Sequence, residues 1–158
     1  MTYLATVFSE SLPGIDVGRG TNLAFRTFGA PWLRAEPFCE RMNACALAGV
    51  RFHPHRYVAG VLPYAGRELD GVRITVTDPA CFHPVTTSVY ALHTLAQLHG
   101  AARVWRHKGV RPQWFDRLYG TATVREALLK GLSPDEIVSA WQVGNRGFAA
   151  SRRKALLY

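Results

Sequence analysis

Gly71-Val72-Arg73-Ile74-Thr75-Val76-Thr77-Asp78 alternates apolar with polar residues, and most of its apolar positions are β-branched. That period of two predicts a strand with Val72, Ile74 and Val76 on one face, so the fold needs a layer to cover them. Upstream, Val50-Arg51-Phe52-His53-Pro54-His55-Arg56-Tyr57 has the same period. Pro54 removes a ladder donor and moves this second strand toward an edge or a bulge. His53 and His55 then share a face. Paired histidines can bind a metal, but no carboxylate or cysteine stands near them to complete a coordination sphere, and no metal site is expected. Residues 60–70, with Tyr64-Ala65-Gly66, read as the loop between the strands. Residues 2–8 alternate weakly and read as a third, short strand.

Around the strands the period changes to that of helices. Residues 37–48 have Pro37 near a helix start, Phe38, Met42, Cys45 and Ala46 at helical spacing, and Gly49 as a stop. Pro84 opens a longer helix with Val85, Val89, Leu92 and Ala96 on its apolar face, closing near Gly100, with His93 and His99 on its surface. A basic loop through Lys108 follows, then a short amphipathic turn, Trp114 to Tyr119, ending at Gly120. Two capping boxes, Thr123-Val124-Arg125-Glu126 and Ser133-Pro134-Asp135-Glu136, predict two successive helices. The second carries Ile137, Trp141 and Phe148, with Gly144 and Gly147 as places for a kink, and the chain finishes on Ala155-Leu156-Leu157-Tyr158. The order predicts one α+β domain over residues 1–158, a small mixed sheet covered by helices with a helical C-terminal part. The helices expected over the sheet are those carrying Val89, Leu92, Ile137 and Trp141.

With 158 residues and 48% apolar content the chain can bury a core without staples. Its net charge of +8, from 19 Lys and Arg against 11 Asp and Glu, favours an acidic partner. The arginines are scattered, only Arg152-Arg153-Lys154 forms a run, and no nucleic-acid motif accompanies them, so that run reads as the solvated side of a last helix. Cys39, Cys45 and Cys81 lack disulfide or CxxC spacing and read as small buried apolar residues. The N-terminal residues have neither the basic start nor the apolar run of a signal peptide, and no stretch is long enough to span a membrane, so a soluble chain is expected. Composition leaves the compartment open.

The stretch with the chemistry of a site is Asp16-Val17-Gly18-Arg19-Gly20-Thr21-Asn22. Glycines 18 and 20 allow positive φ and close approach, so Arg19 can stand on a tight turn with its planar fork of donors outward, facing an anion or a sugar. The same residues also make an ordinary turn in which Arg19 pairs with a nearby carboxylate. Phe25, Phe28, Trp32 and Leu33, around Gly29-Ala30-Pro31, read as a loop or short helix tacked to the core by its aromatics, or as a sugar-stacking platform. Asp78 ends a strand, where a carboxylate serves a site or caps a turn. No GxSxG, HExxH, Walker loop or CxxC pair is present.

Taken together, Val17-Gly18-Arg19-Gly20-Thr21, Phe28-Gly29-Ala30-Pro31-Trp32, Gly49-Val50-Arg51-Phe52-His53-Pro54, Tyr64-Ala65-Gly66, Gly71 to Asp78, Phe115-Asp116-Arg117-Leu118-Tyr119-Gly120-Thr121 and Arg153-Lys154-Ala155-Leu156-Leu157-Tyr158 resemble the C-terminal part of the NamZ family. These are bacterial exo-β-N-acetylmuramidases, and the resemblance runs from about Val7 to Tyr158. It implies removal of N-acetylmuramic acid from the non-reducing ends of peptidoglycan fragments. The cleft would lie between a larger Rossmann-like N-terminal domain, absent from this chain, and this C-terminal one. The ligand it implies is a muropeptide or amino sugar, with no cofactor, and a Rossmann-like partner domain or chain. The compartment would be cytoplasmic as the sequence is written, or the cell envelope if the chain belongs to an exported enzyme.

Glycoside hydrolysis generally uses two carboxylates, and the resemblance places the catalytic glutamates largely in the missing domain. Where the family usually shows Glu-Gly-Thr-Asn before its glycine-arginine loop, this chain has Ser11-Leu12-Pro13-Gly14, with Glu10 one residue out of register as the only candidate acid. Leu62-Pro63 replaces a usual Ser-Lys, and Leu69 a usual cysteine. The substrate-binding set carried over is Asp16, Gly18, Arg19, Gly20, Thr21, Asn22, Tyr64 and Asp78. A non-catalytic glycan-binding or protein-interaction module is the alternative.

Overall fold

The structure, a computed structural model, describes residues 1–153, 155 and 156, and residues 142 and 143 by their backbone only. Strands β1 (Thr27–Gly29), β2 (Val50–Val58) and β3 (Glu68–Val76) form one sheet in the order β1-β3-β2. β3 is antiparallel to both neighbours, pairing Phe28 with Val72 on one side and Phe52 with Ile74 on the other. Pairing is therefore wholly antiparallel, where mixed pairing was expected. β1 and β2 do run the same way and are joined through helix α2 (Ala35–Ala44), but β3 is inserted between them, a split βαβ arrangement. Pro54 lies on β2, an edge strand with no further strand among the described residues on its outer side, where a missing N–H costs no ladder bond.

Val50, Phe52, Val72 and Ile74 are buried on one face of the sheet, and Phe38 and Met42 of α2 are fully buried against the same core. α2 lies directly on β2 and β3. Helix α3 (Pro84–His99) packs on α2 and receives α7 (Pro134–Arg153), bringing Val89, Leu92, Ile137 and the half-buried Trp141 into the one core. Arg34 and Ala35 precede Pro37, which sits in the first turn of α2, where its absent N–H would have had no helical partner.

Several local expectations give way to packing. Residues 2–8 form no strand: α1 (Tyr3–Thr6) runs into a 3-10 turn (Val7–Ser11). Ala5, Thr6, Val7 and Phe8 are consecutively buried, which a two-sided strand on a half-covered sheet does not allow. Ala101–Trp105, expected as loop, forms α4 because Val104 and Trp105 both reach the core. Phe25 through Leu33 includes β1, three residues too few for periodicity to show. α5 (Pro112–Tyr119) begins two residues before the expected turn, and a bidentate Arg125–Asp116 pair, both bonds 2.8 Å, ties it to α6 (Thr123–Leu129).

The first capping box does not form, since Thr123 is already helical and the Thr121 hydroxyl accepts its N–H instead. The second does: Glu136 accepts from the Ser133 N–H at 2.8 Å and hydroxyl at 2.7 Å. Those bonds hold the Glu136 carboxyl below its ordinary value, so this cap contributes above the usual carboxylate range and is lost as pH falls through the lowered value. α7 continues through Gly144 and Gly147 without interruption, and Phe148 is exposed, because α7 has left the core by that point. Arg152 and Arg153 are solvated in its last turn, while Lys154, Leu157 and Tyr158 of the expected ending lie outside the described residues. His93 and His99 are half-buried and not on the surface, His99 packing edge-on to Trp32. Of the cysteines only Cys39 is buried. Cys45 caps α2 and Cys81 sits in the turn after β3, both exposed.

The opposite face of the sheet has its own small cluster of Tyr57, Ala59 and Leu69, with Tyr64 packed on it. Leu69 pairs with Tyr57 across the ladder, which is why β3 starts before Gly71. The Tyr57 ring lies over Gly29 and Gly71: a Cβ on Gly71 would come within 2.7 Å of Tyr57 Cε1, and one on Gly29 within 2.9 Å.

Gly71→Ala is therefore expected to cost about 1–3 kcal/mol by over-packing, seen as a lower urea midpoint at unchanged slope; an unaltered midpoint would contradict this packing. Burial, with Glu36 and Glu40 nearby, pushes the Cys39 thiol up to about 12. A disulfide reagent at neutral pH should label Cys45 and Cys81 and reach Cys39 only on unfolding, as peptide mass mapping would show.

Candidate functional site

The loop of residues 16–22 is laid across this second face and anchored at Asp16. The Asp16 N–H donates to Gly29 O at 2.8 Å and its carbonyl accepts from the Gly29 N–H at 2.9 Å, a single bridge at the last residue of β1. Its buried carboxylate accepts from the Tyr57 hydroxyl at 2.6 Å and from the Gly18 N–H at 2.7 Å, both on Oδ1. Burial first, then the bond to Asp16, keeps the Tyr57 phenol strongly raised, so Tyr57 is the donor at any ordinary pH.

The glycines have structural reasons. Gly18 has φ +71°, and a Cβ there would sit 2.6 Å from Thr27 Cγ2. Gly20 has φ +75°, and a Cβ there would sit 3.1 Å from the Gly60 backbone. The Thr21 hydroxyl donates to Gly18 O at 2.7 Å and accepts from the Leu23 N–H at 3.0 Å, closing the turn from within. Chain-on-chain approach accounts for glycine at 18 and 20.

Arg19 stands out from this frame, 51% exposed, and its Nη1 is 3.2 Å from Glu10 Oε1. The expected free fork is thus partly engaged. An exposed pair of this kind contributes about 0–1 kcal/mol, so it aims the side chain and does not shape the loop. Glu10 comes from the 3-10 turn, which α5 holds in place. Phe8 stacks on Tyr119 at 3.9 Å, Phe115 touches Tyr119 at 4.7 Å, and the Ser11 carbonyl accepts from the Arg111 N–H at 3.0 Å.

Glu10, Asp16, Arg19 and Arg111 line a groove of about 130 Å³, with Leu62 and Pro63 also in its wall. Two guanidiniums against one accessible carboxylate leave it cationic. Thr21 and Asn22 do not share it; they face a separate groove. Tyr64 stands behind, its hydroxyl donating to Gly14 O at 3.4 Å. Asp78 belongs to neither: Val76 pairs with Val50, at the opposite end of the ladder from Val58 and Gly60, roughly 26 Å away at about 3.3 Å per residue. There Asp78 accepts from the Ala80 N–H at 2.9 Å as a turn cap, which with the Cys81 thiol lowers its carboxyl.

Tyr57 and Arg111 are the residues that reading the sequence missed. Tyr57 shares the period-two face of His53 and His55, a signal that was present; Arg111 comes from far along the chain and left none. No group of three or more His, Cys, Asp or Glu side chains among the described residues is placed to hold a metal ion. No helix among them is long and apolar enough to cross a membrane.

An antiparallel sheet with helices on one face and a braced arginine loop on the other defines an α+β domain with a small cationic groove. The profile of the family described as exo-beta-N-acetylmuramidase NamZ, C-terminal, matches residues 1–158, and the chain belongs to that family. It is 28% identical over 156 residues to the peptidoglycan beta-N-acetylmuramidase NamZ of Bacillus subtilis strain 168, covering 99% of this chain and 36% of that protein. The chain thus spans about a third of that relative's length. A crystal structure of a DUF1343 family protein from Bacteroides fragilis shares the fold at a TM-score of 0.90 and 22% identity, over 99% of this chain and 41% of that one.

Tyr57→Phe strands the buried Asp16 carboxylate without its hydroxyl donor and should cost about 1–3 kcal/mol. Amide exchange at Gly18 should accelerate with it; a loop equally protected in the variant would show that Asp16 does not depend on Tyr57.

Proposed function

We propose that this chain forms one wall of an amino-sugar cleft in a peptidoglycan-cleaving exo-β-N-acetylmuramidase. Supporting this is the pairing of Glu10 with Arg19 on a rigid loop, opposite Arg111, in a groove that remains net cationic. Muramic acid differs from glucosamine by a lactyl carboxylate, and a guanidinium matches a carboxylate with two parallel bonds. Arg19 keeps its other donors for that contact while Glu10 fixes one edge of its fork.

The same groove argues against a complete catalytic centre. Acid and nucleophile must be two carboxylates flanking the scissile bond, yet Asp16 is held by Tyr57 and Gly18, and Glu10 by Arg19. The reacting carboxylates are accordingly assigned to a Rossmann-like domain or chain that completes the cleft, as in the family's larger members. Without such a partner the chain acts as a glycan-binding module.

Titration of the chain with N-acetylmuramic acid and N-acetylglucosamine, followed by amide shifts, tests the groove. Arg19→Ala should weaken the muramic acid by about tenfold or more, the equivalent of about 1.5–3 kcal/mol for a charge-assisted bond. The glucosamine should be unaffected and stability changed by less than about 1 kcal/mol. Equal losses for both sugars would remove the lactyl carboxylate from the reading. The chain by itself should release no chromophore from a chromogenic N-acetylmuramide; turnover abolished by Glu10→Gln would place the catalytic acid here after all.

A further inference from the structure

The second groove, which Thr21 and Asn22 face, is larger, about 440 Å³, and its charge is of one sign. Arg26, just before β1, and Arg73 of β3 line it, with His55 and Tyr57 of β2 alongside. Register explains the clustering. Arg73 pairs with His53 on one side and Thr27 on the other, so it stands in the middle of the uncovered sheet face, and His55 pairs with Gly71 next along. The carboxylates of these strands are on the other face: Asp70 and Glu68 pair there with Arg56. Asp16 is taken up by the Tyr57 hydroxyl and the Gly18 N–H. Among the described residues neither Arg26 nor Arg73 has an ion pair, and no carboxylate lines the groove.

Two guanidiniums directed into one concave space repel each other, and a sheet centre is an uneconomical place for an unpaired cation unless an anion completes it. Beside them the half-buried His55 ring stacks on the buried Tyr57 ring, centroids 6.1 Å apart and planes within 5° of parallel, which holds the imidazole in place at the groove. We propose that this groove is a second anion subsite, binding a carboxylate or phosphate carried on a glycan. The oxyanion follows from the charge pattern alone; that a glycan carries it rests on the reading under Proposed function. Arg26 and Arg73 hold the anion, the exposed Asn22 amide supplies a further donor, and the imidazole of His55, backed by Tyr57, lies beside the sugar.

Amide shifts of Asn22, His55 and Arg73 in the full chain, recorded while adding inorganic phosphate, N-acetylmuramic acid or uncharged N-acetylglucosamine, test this. Phosphate, muramic acid or both should move these amides saturably, and whichever binds more tightly identifies the group carried. Arg73→Gln should weaken that binding by about tenfold or more, with Arg26→Gln, on an exposed residue outside the ladder, giving the same result if Arg73→Gln folds poorly. Arg19→Ala should leave these shifts in place, so failure at the Arg19 groove and failure here are distinguishable. If neither anion moves these amides, if glucosamine moves them as strongly, or if both glutamine variants bind as the parent does, the subsite does not exist.

Discussion

One buried carboxylate fixes the relation between the loop and the sheet. Asp16 collects the Tyr57 hydroxyl from β2, the Gly18 amide from its own turn and, through its backbone, Gly29 at the end of β1. Each bond to a buried carboxylate contributes about 1.5–3 kcal/mol, against about 0–1 for the exposed Arg19–Glu10 pair. The loop would therefore keep its shape without Arg19, whereas Arg19 has no defined position without Asp16. The geometry also requires two missing side chains, at Gly29 and Gly71, because the Tyr57 ring occupies the space their Cβ atoms would need.

The other half of the site is set by a different kind of interaction. Glu10 sits in a 3-10 turn whose buried Phe8 stacks on Tyr119, and Tyr119 in turn shares a hydrogen bond with Ser88 of α3 and packs on Phe115. Apolar burial from α5 thus places the carboxylate, and hydrogen bonding at Asp16 places the guanidinium. The ion pair forms where two independently fixed elements meet. That division suits a site in which one residue has to reorient toward a ligand without disturbing the fold.

The strand at 50–58 and the part of β3 from Gly71 on were legible because their inner faces alternate, whereas Glu68–Asp70 read as loop; α3 and the Ser133 cap were legible because Pro84 and Glu136 make local signals. β1 was not, since three residues carry no period, and its existence depends on pairing with Val72, forty-four positions away in sequence. The Thr123 capping box failed for the same reason in reverse: the motif was present, but Thr121 took the N–H first. In the site, the loop itself was readable from Gly18, Arg19 and Gly20, but its meaning was not. Glycines that suggested a ligand are explained by Thr27 and Gly60, contacts that no local pattern contains.

A flexible loop is weak grounds for binding once its flexibility has been consumed by packing, and the Thr21 hydroxyl already serves the turn as both donor and acceptor. What remains is charge that the fold has not neutralised. Of the cations near the loop, Arg56 is offset by Glu68 and Asp70, and Arg19 by Glu10. Arg26, Arg73 and Arg111 have no such partner among the described residues, and all three border a concavity. A domain with a surplus of eight positive charges could have spread them evenly over solvent. Leaving them unpaired in two hollows, each bordered by residues of the 16–22 loop, is the arrangement that an anionic, multi-unit ligand would require.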